Sequence, residues 1–187
     1  MNIFRNILAA IAVLALLTAP APVWADQNDL RLDTLFGKLQ KTENPTEVTE
    51  IVEKIWVVWT EINDQAAHGE MLQGVNAMAQ QEFDAALAFF DEVIAKFPGF
   101  AEAWNKRATV FYLMGRFEES LKDVHMTLDL EPRHFGALSG QGLIHMATGD
   151  TRHAIEAFEQ ALEINPHMPI VRMRIKLLRE ELDKNAI

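Results

Sequence analysis

A regular internal repeat limits this chain to a small set of folds. Pro98, Pro132 and Pro166 recur with a 34-residue period, and each follows a stretch with the apolar spacing of a helix. Shifting the sequence by this period also aligns small residues with small ones and bulky apolar residues with one another. The aligned columns include Gly74, Ala108 and Gly142; Ala86, Ser120 and Ala154; and Phe90, Val124 and Phe158. A period of this length predicts stacked copies of one supersecondary unit.

Each unit is predicted to be a helix hairpin. Apolar residues recur at spacings of three and four, which is the period of a helix face. Gly115 and Gly149 interrupt this pattern midway and suit the left-handed residue that ends a first helix. The prolines end the second helix, because a residue before proline is pushed out of helical geometry. One hairpin cannot bury its own apolar face, so neighbouring units must stack.

These units resemble the tetratricopeptide repeat, which is a helix-turn-helix unit with the same period. The resemblance covers residues 67–166 and is fullest in the second unit. That unit carries Trp104, Ala108, Phe111, Gly115, Phe117, Ser120, Val124, Thr127 and Pro132. The family resemblance implies an all-α fold, an α-α superhelix of three hairpin repeats at residues 67–100, 101–134 and 135–168.

The flanking segments are helical but depart from the repeat. Residues 26–64 are interpreted as a degenerate N-terminal helix pair that caps the array. Within it, Trp56 and Trp59 either pack on the first repeat or form a partner or dimer surface, since exposed aromatic residues mark interfaces. Residues 169–187 are predicted to form a basic, amphipathic capping helix with a polar outer side, as the terminal helix of a solenoid needs.

The N-terminus has the pattern of a secretory signal peptide of an exported bacterial protein. Arg5 precedes an uncharged apolar run over residues 7–18, followed by Pro20, Pro22 and a small-residue cleavage site ending at Ala25. We expect cleavage after Ala25, a periplasmic or secreted mature chain, and no stable membrane insertion after cleavage. The alternative is a retained anchor, although the apolar run is shorter than the roughly 20 residues that span a bilayer.

Charge and composition narrow the classes of function. The formal net charge of −10 argues against binding to nucleic acid or anionic lipid, which both need clustered Lys and Arg. The chain has no cysteine, so disulfides, thiolate metal sites and a lipid-modified cysteine are excluded. The histidines form no i,i+4 pair, and the serines and acids form no recognisable nucleophile–base set. We therefore predict no catalytic residue, metal or cofactor.

The family resemblance implies that the first helix of each unit lines a concave, ligand-binding face. Carried over to this sequence, the predicted groove residues are His68, Met71, Leu72, Val75, Met78, Glu102, Asn105, Lys106, Thr109, Tyr112, Ser139, Leu143 and Met146. Asn105 and Lys106 are expected to fix the backbone of a ligand. Some family members hold the carboxylates of chaperone tails with a clamp of Lys, Asn and Arg, but here only Lys106 could serve.

These observations predict a non-enzymatic scaffold or adaptor in the cell envelope. It would bind a peptide or helix of another protein in the concave groove, and would itself be a monomer or weak homodimer. The alternative is a self-assembling structural module that uses the face formed by Trp56 and Trp59.

Overall fold

The computed structural model describes residues 29–185, and within this range the chain forms nine α-helices and no strand. The helices are α1 (Leu30–Leu39), α2 (Pro45–Thr60), α3 (Gln65–Ala79), α4 (Phe83–Lys96), α5 (Ala101–Leu113), α6 (Phe117–Leu130), α7 (Phe135–Ala147), α8 (Thr151–Ile164) and α9 (Pro169–Asn185). The predicted signal peptide lies outside the described residues. Between residues 29 and 185, no helix is both long and apolar enough to cross a membrane.

Three helix hairpins, α3–α4, α5–α6 and α7–α8, stack in chain order, which confirms the predicted all-α array. A small residue brings the two helices of each hairpin together. A Cβ added at Gly74 would lie 2.5 Å from the ring of Phe90, and one at Gly142 would lie 2.5 Å from the ring of Phe158. In the middle hairpin, the Ser120 hydroxyl instead donates to the carbonyl of Ala108 at 2.7 Å.

The turn inside each hairpin contains one left-handed residue. Gly115 has a φ of 73° and Gly149 a φ of 79°, as predicted for the residue that closes a first helix. In the first hairpin the equivalent residue is Gln81, with a φ of 62°. The backbone geometry of this turn is therefore kept even where no glycine is present.

The helix pair α1–α2, which we call the strap, does not pack on the first repeat. The indole of Trp59 stacks on the ring of His134 with centroids 4.2 Å apart, and Trp56 meets Phe135 edge-on at 5.8 Å. Trp59 is only 1% exposed. The prediction that Trp56 and Trp59 pack on the first repeat is therefore wrong, and the buried Trp59 is also unavailable as a self-assembly surface. The physical reason is that both indoles pack against His134 and Phe135, at the junction of the second and third hairpins.

Helix α9 ends the array but has a mixed outer side. Val171, Ile175 and Leu178 are buried against the α7–α8 hairpin. On the opposite side, three apolar residues are exposed to solvent: Ile170 (61%), Met173 (56%) and Leu177 (55%). The predicted polar residues Arg172, Lys176 and Arg179 are exposed as well, so the outer side of α9 is polar along one strip and apolar along another.

Candidate functional site

The first helices of the three hairpins form one continuous face. Helix α3 contacts α5, and α5 contacts α7, so positions that are equivalent in the 34-residue period line up across the array. The strap lies against this face where α5 and α7 begin. The face is consequently divided into a half that the strap covers and an open half toward the C-terminal ends of the helices.

A buried carboxylate organises the covered half. Glu102 is fully buried, and its Oε2 accepts hydrogen bonds from Asn105 Nδ2 at 2.9 Å and His134 Nε2 at 3.1 Å. The ammonium of Lys106 lies 2.9 Å from the other carboxylate oxygen. Asn105 and Lys106 therefore bind Glu102 within the protein. That they also fix the backbone of a ligand stays a prediction.

The two hydrogen bonds of His134 determine which ring nitrogen is the donor. Its Nδ1 accepts from the backbone N–H of Ala137 at 3.0 Å, which caps the start of α7, so the proton must be on Nε2. Burial alone raises the pKa of Glu102, but donation from His134 and the charge of Lys106 outweigh burial and hold that pKa below its usual value. The network is therefore an ionised carboxylate with two donors on Oε2 and the Lys106 ammonium beside Oε1.

Trp56 closes the groove above this network. Its ring lies 2.9 Å from where a Cβ of Gly136 would stand, so any larger residue there would displace the indole. The Lys106 ammonium lies 5.5 Å from the centroid of the same ring, within the range of a cation–π interaction. The strap thus covers the concave face at the start of α7.

The strap is also tied to the edge of the array by polar contacts. Arg133 Nη1 binds Asp33 of α1 at 2.6 Å, and Arg133 Nε binds the buried Glu131 at 3.1 Å. At the far end of α1, His167 Nε2 donates to the carbonyl of Leu39 at 3.0 Å. These bonds connect the strap to the α6–α7 junction and to the loop before α9, so it is an integral part of the fold.

The open half of the groove is lined by six predicted residues, two from each inner helix. These are Val75, Met78, Thr109, Tyr112, Leu143 and Met146. All are at least partly accessible, and Met146 is 37% exposed. A small cavity of about 80 Å³ lies between α5 and α7, beside Gly140. This half offers apolar surface and two hydroxyl groups.

The remaining predicted residues are divided between surface and core. Met71 is buried in the core between α3, α4 and α5, and Glu102 and Asn105 are buried beneath the strap. His68 and Leu72 are exposed on α3, while Ser139 and Lys106 are half-buried. The structure therefore lines up the predicted positions nearer the C-terminal ends of the inner helices, and of the other predicted residues it buries Met71, Glu102 and Asn105.

Sequence reasoning missed the role of His134 in the covered half. One signal was present, because at the 34-residue shift His134 aligns with Phe100 and Met168, which are both apolar. A histidine in an apolar column indicates a buried polar contact. The partner, Glu102, had no such signal, since acids near the start of a helix are common on surfaces. Within the described residues, no group of three His, Asp or Glu side chains is placed to hold a metal ion.

Comparison with known proteins gives a consistent result. Profiles described as tetratricopeptide repeat match residues 71–125 and 135–168. A TPR repeat-containing protein of Rhizobium etli is 35% identical over 155 residues, which cover 83% of this chain and 76% of that protein. The small glutamine-rich tetratricopeptide repeat-containing protein 2 of Saccharomyces cerevisiae is 27% identical over 93 residues, and the match spans only 27% of its length.

Solved structures share the fold at lower identity. The Sgt2 TPR domain from Aspergillus fumigatus has a TM-score of 0.62 at 18% identity, covering 66% of this chain and 83% of that domain. The first TPR domain of Spaghetti (RPAP3), solved bound to the HSP90 peptide SRMEEVD, also has a TM-score of 0.62 at 18% identity, covering 65% of this chain and 97% of that one. With the 34-residue period, the stacked hairpins and the Rhizobium relative, these likenesses show that this chain belongs to the tetratricopeptide-repeat family.

Proposed function

We propose that this protein is a non-enzymatic scaffold that binds a segment of another protein in the open half of its concave groove. The observation that carries the proposal is the alignment of Met78, Tyr112 and Met146. Each inner helix contributes one of these partly accessible side chains at the same position, so together they form a line across three repeats. Solved relatives of the same fold, such as the RPAP3 domain, hold peptides of partner proteins.

The strap supports this proposal by making the groove rigid. Because it contacts the second and third hairpins and the loop before α9, it limits how far these units can move relative to one another. A preformed surface loses less conformational entropy on binding. We propose a setting in the cell envelope as well, which rests on the signal-peptide pattern of residues 1–25.

Site-specific photocrosslinking tests the groove directly. Because the chain has no cysteine, the variant Met146→Cys has a single thiol, which can be labelled with a benzophenone photocrosslinker. Lys122→Cys, on the exposed outer side of α6, is the matched control. We expect Met146→Cys to yield discrete adducts in cell-envelope extracts that Lys122→Cys does not. Identical adducts from both positions would contradict a working groove.

The cellular location requires a separate measurement. Intact mass analysis of the protein isolated from its native cells should give the mass of a chain that begins at Asp26. A chain that retains residues 1–25 would contradict cleavage, and recovery in the cytoplasmic fraction would contradict export.

A further inference from the structure

We propose that the open half of the groove binds the uncharged apolar face of an amphipathic helix, and that it does not bind an acidic peptide tail. This inference rests on the proposed function and names the chemistry of the partner. Three observations carry it: the side chains of the open half, the pocket beside Gly140, and the engagement of Lys106 by the protein itself.

The open half of the groove contains no charged column. At the 34-residue shift, one column is Val75, Thr109 and Leu143, the next is Met78, Tyr112 and Met146, and the third is Ala79, Leu113 and Ala147. Half of the Leu113 surface is exposed, so apolar area is available to a ligand. Methionine adapts to irregular partners, and a line of such residues suits an apolar helix face. A charged segment would lose hydration here without gaining a partner.

The pocket beside Gly140 fits a bulky apolar side chain. A Cβ at Gly140 would meet no atom within 4 Å, and the surrounding walls come from Asn105, Thr109, Tyr112 and Leu143. Its floor is formed by the apolar side chains of Ala108, Val124 and Ile144, together with Ser120, whose hydroxyl is already bonded to Ala108. An apolar group in this space would pack against these apolar side chains.

The strap shows how a helix uses this surface. Gly136 precedes Gly140 by four residues, so the two lie on the same side of α7, one turn apart. At Gly136 the surface is already covered by the ring of Trp56 from α2. The contact between Trp56 of α2 and Gly136 of α7 is thus a large apolar side chain packed on a glycine, and the pocket at Gly140 lies next to it on the same face. A partner helix beside the strap would repeat this contact one turn further on.

Charge argues against an acidic ligand. Lys106 is the only predicted groove residue with a permanent positive charge, and its ammonium already lies 2.9 Å from the buried Glu102 carboxylate. The ring of Trp56 lies on the same ammonium. A ligand carboxylate would have to compete with Glu102 for this cation, and the net charge of −10 would repel an acidic tail further.

The test selects phage-displayed helical peptides on the purified full chain. The library keeps a helical frame and randomises four positions at i, i+3, i+4 and i+7, and the acidic peptide SRMEEVD is assayed separately. Selections use wild type, Gly140→Leu, and the matched control Gly37→Leu, where an added Cβ also meets nothing within 4 Å. Circular dichroism and thermal melting establish that both variants are folded.

We expect wild type and Gly37→Leu to enrich peptides with bulky apolar residues, and Gly140→Leu to retain these peptides at least tenfold less well. We also expect no binding of SRMEEVD at micromolar concentrations. Enrichment of Asp and Glu, or binding of SRMEEVD that Lys106→Ala abolishes, would overturn the inference while leaving a peptide-binding groove intact. Identical pools from wild type and Gly140→Leu, or no enrichment at all, would overturn the groove itself.

Discussion

At the scale of single residues, the decisive group is the buried carboxylate of Glu102. It accepts from Asn105 and His134 and pairs with Lys106, so its negative charge is compensated away from water. His134 in turn stacks on Trp59, which links this network to the strap. A buried charge without such partners would cost several kcal/mol. These residues therefore hold α5, the start of α7 and the strap together.

The lowered pKa of Glu102 predicts that the stability of the fold depends on pH. Its pKa is lowered in the folded state, because the contributions of His134 and Lys106 outweigh the effect of burial. A lowered carboxyl pKa contributes stability above the unfolded value of about 4.5, and this stability is lost as the pH falls through the folded value. We expect Glu102→Gln to lower the free energy of unfolding at pH 7 by about 1–3 kcal/mol.

Urea unfolding from pH 7 to pH 3 is the measurement. The difference between wild type and Glu102→Gln should narrow as the pH falls below the unfolded pKa, because wild type then takes up the proton that the variant cannot bind. Glu53→Gln, at an exposed position of α2, should follow wild type throughout. A difference that stays constant over the whole range would contradict the assignment of an ionised carboxylate.

At the scale of elements, two glycines of α7 have opposite roles although they are close together in the sequence. Gly142 faces the second helix of its own hairpin, where the ring of Phe158 leaves no room for a Cβ. Gly140 faces the open groove, where a Cβ meets nothing. One glycine is required by close packing of α7 on α8, and the other leaves space on the concave face.

This contrast predicts opposite effects of the same substitution. Gly142→Ala should lower the free energy of unfolding by about 1–3 kcal/mol, because the added methyl group overpacks the contact with Phe158. Gly140→Ala should raise it by about 0.5–1 kcal/mol, because alanine loses less backbone entropy in a helix. Thermal and urea unfolding of both variants will check this. Destabilisation by Gly140→Ala would mean that its side of α7 is not open.

At the scale of the whole molecule, the strap and α9 complete the array in different ways. The strap buries its aromatic residues at the edge of the second and third hairpins, and so joins segments that are far apart in the chain. Helix α9 covers the last hairpin but exposes Ile170, Met173 and Leu177. The net charge of −10 favours repulsion between molecules.

We expect the purified protein to be a monomer at micromolar concentration. Stable dimers bury about 800 Å² on each partner, which is more than three exposed side chains of one helix can supply. Sedimentation velocity over a range of concentrations measures this directly, with Met173→Gln as the matched variant. A wild-type dimer at low micromolar concentration that Met173→Gln dissociates would contradict this expectation and assign the α9 stripe to self-association.

The repeat, the hairpins and the family could all be predicted from the sequence, because these features depend on local periodicity. Pro98, Pro132 and Pro166 end helices whatever the tertiary contacts are, and Gly74 and Gly142 report a close contact within one unit. The left-handed turn at Gly115 is equally local. These features can be recognised in the sequence because the residues that interact are separated by the same number of positions in every repeat.

The position of the strap, and with it the open part of the groove, depends instead on contacts that only the folded chain makes. Trp59 binds Glu131, 72 positions away, and His167 binds Leu39, 128 positions away. Neither separation is a multiple of the repeat period. Apolar spacing shows that Trp56 and Trp59 share a helix face, but it does not show which surface that face covers. Burial of the indoles at the start of α7 in turn enclosed Glu102 and left Tyr112 and Met146 at the accessible part of the concave face.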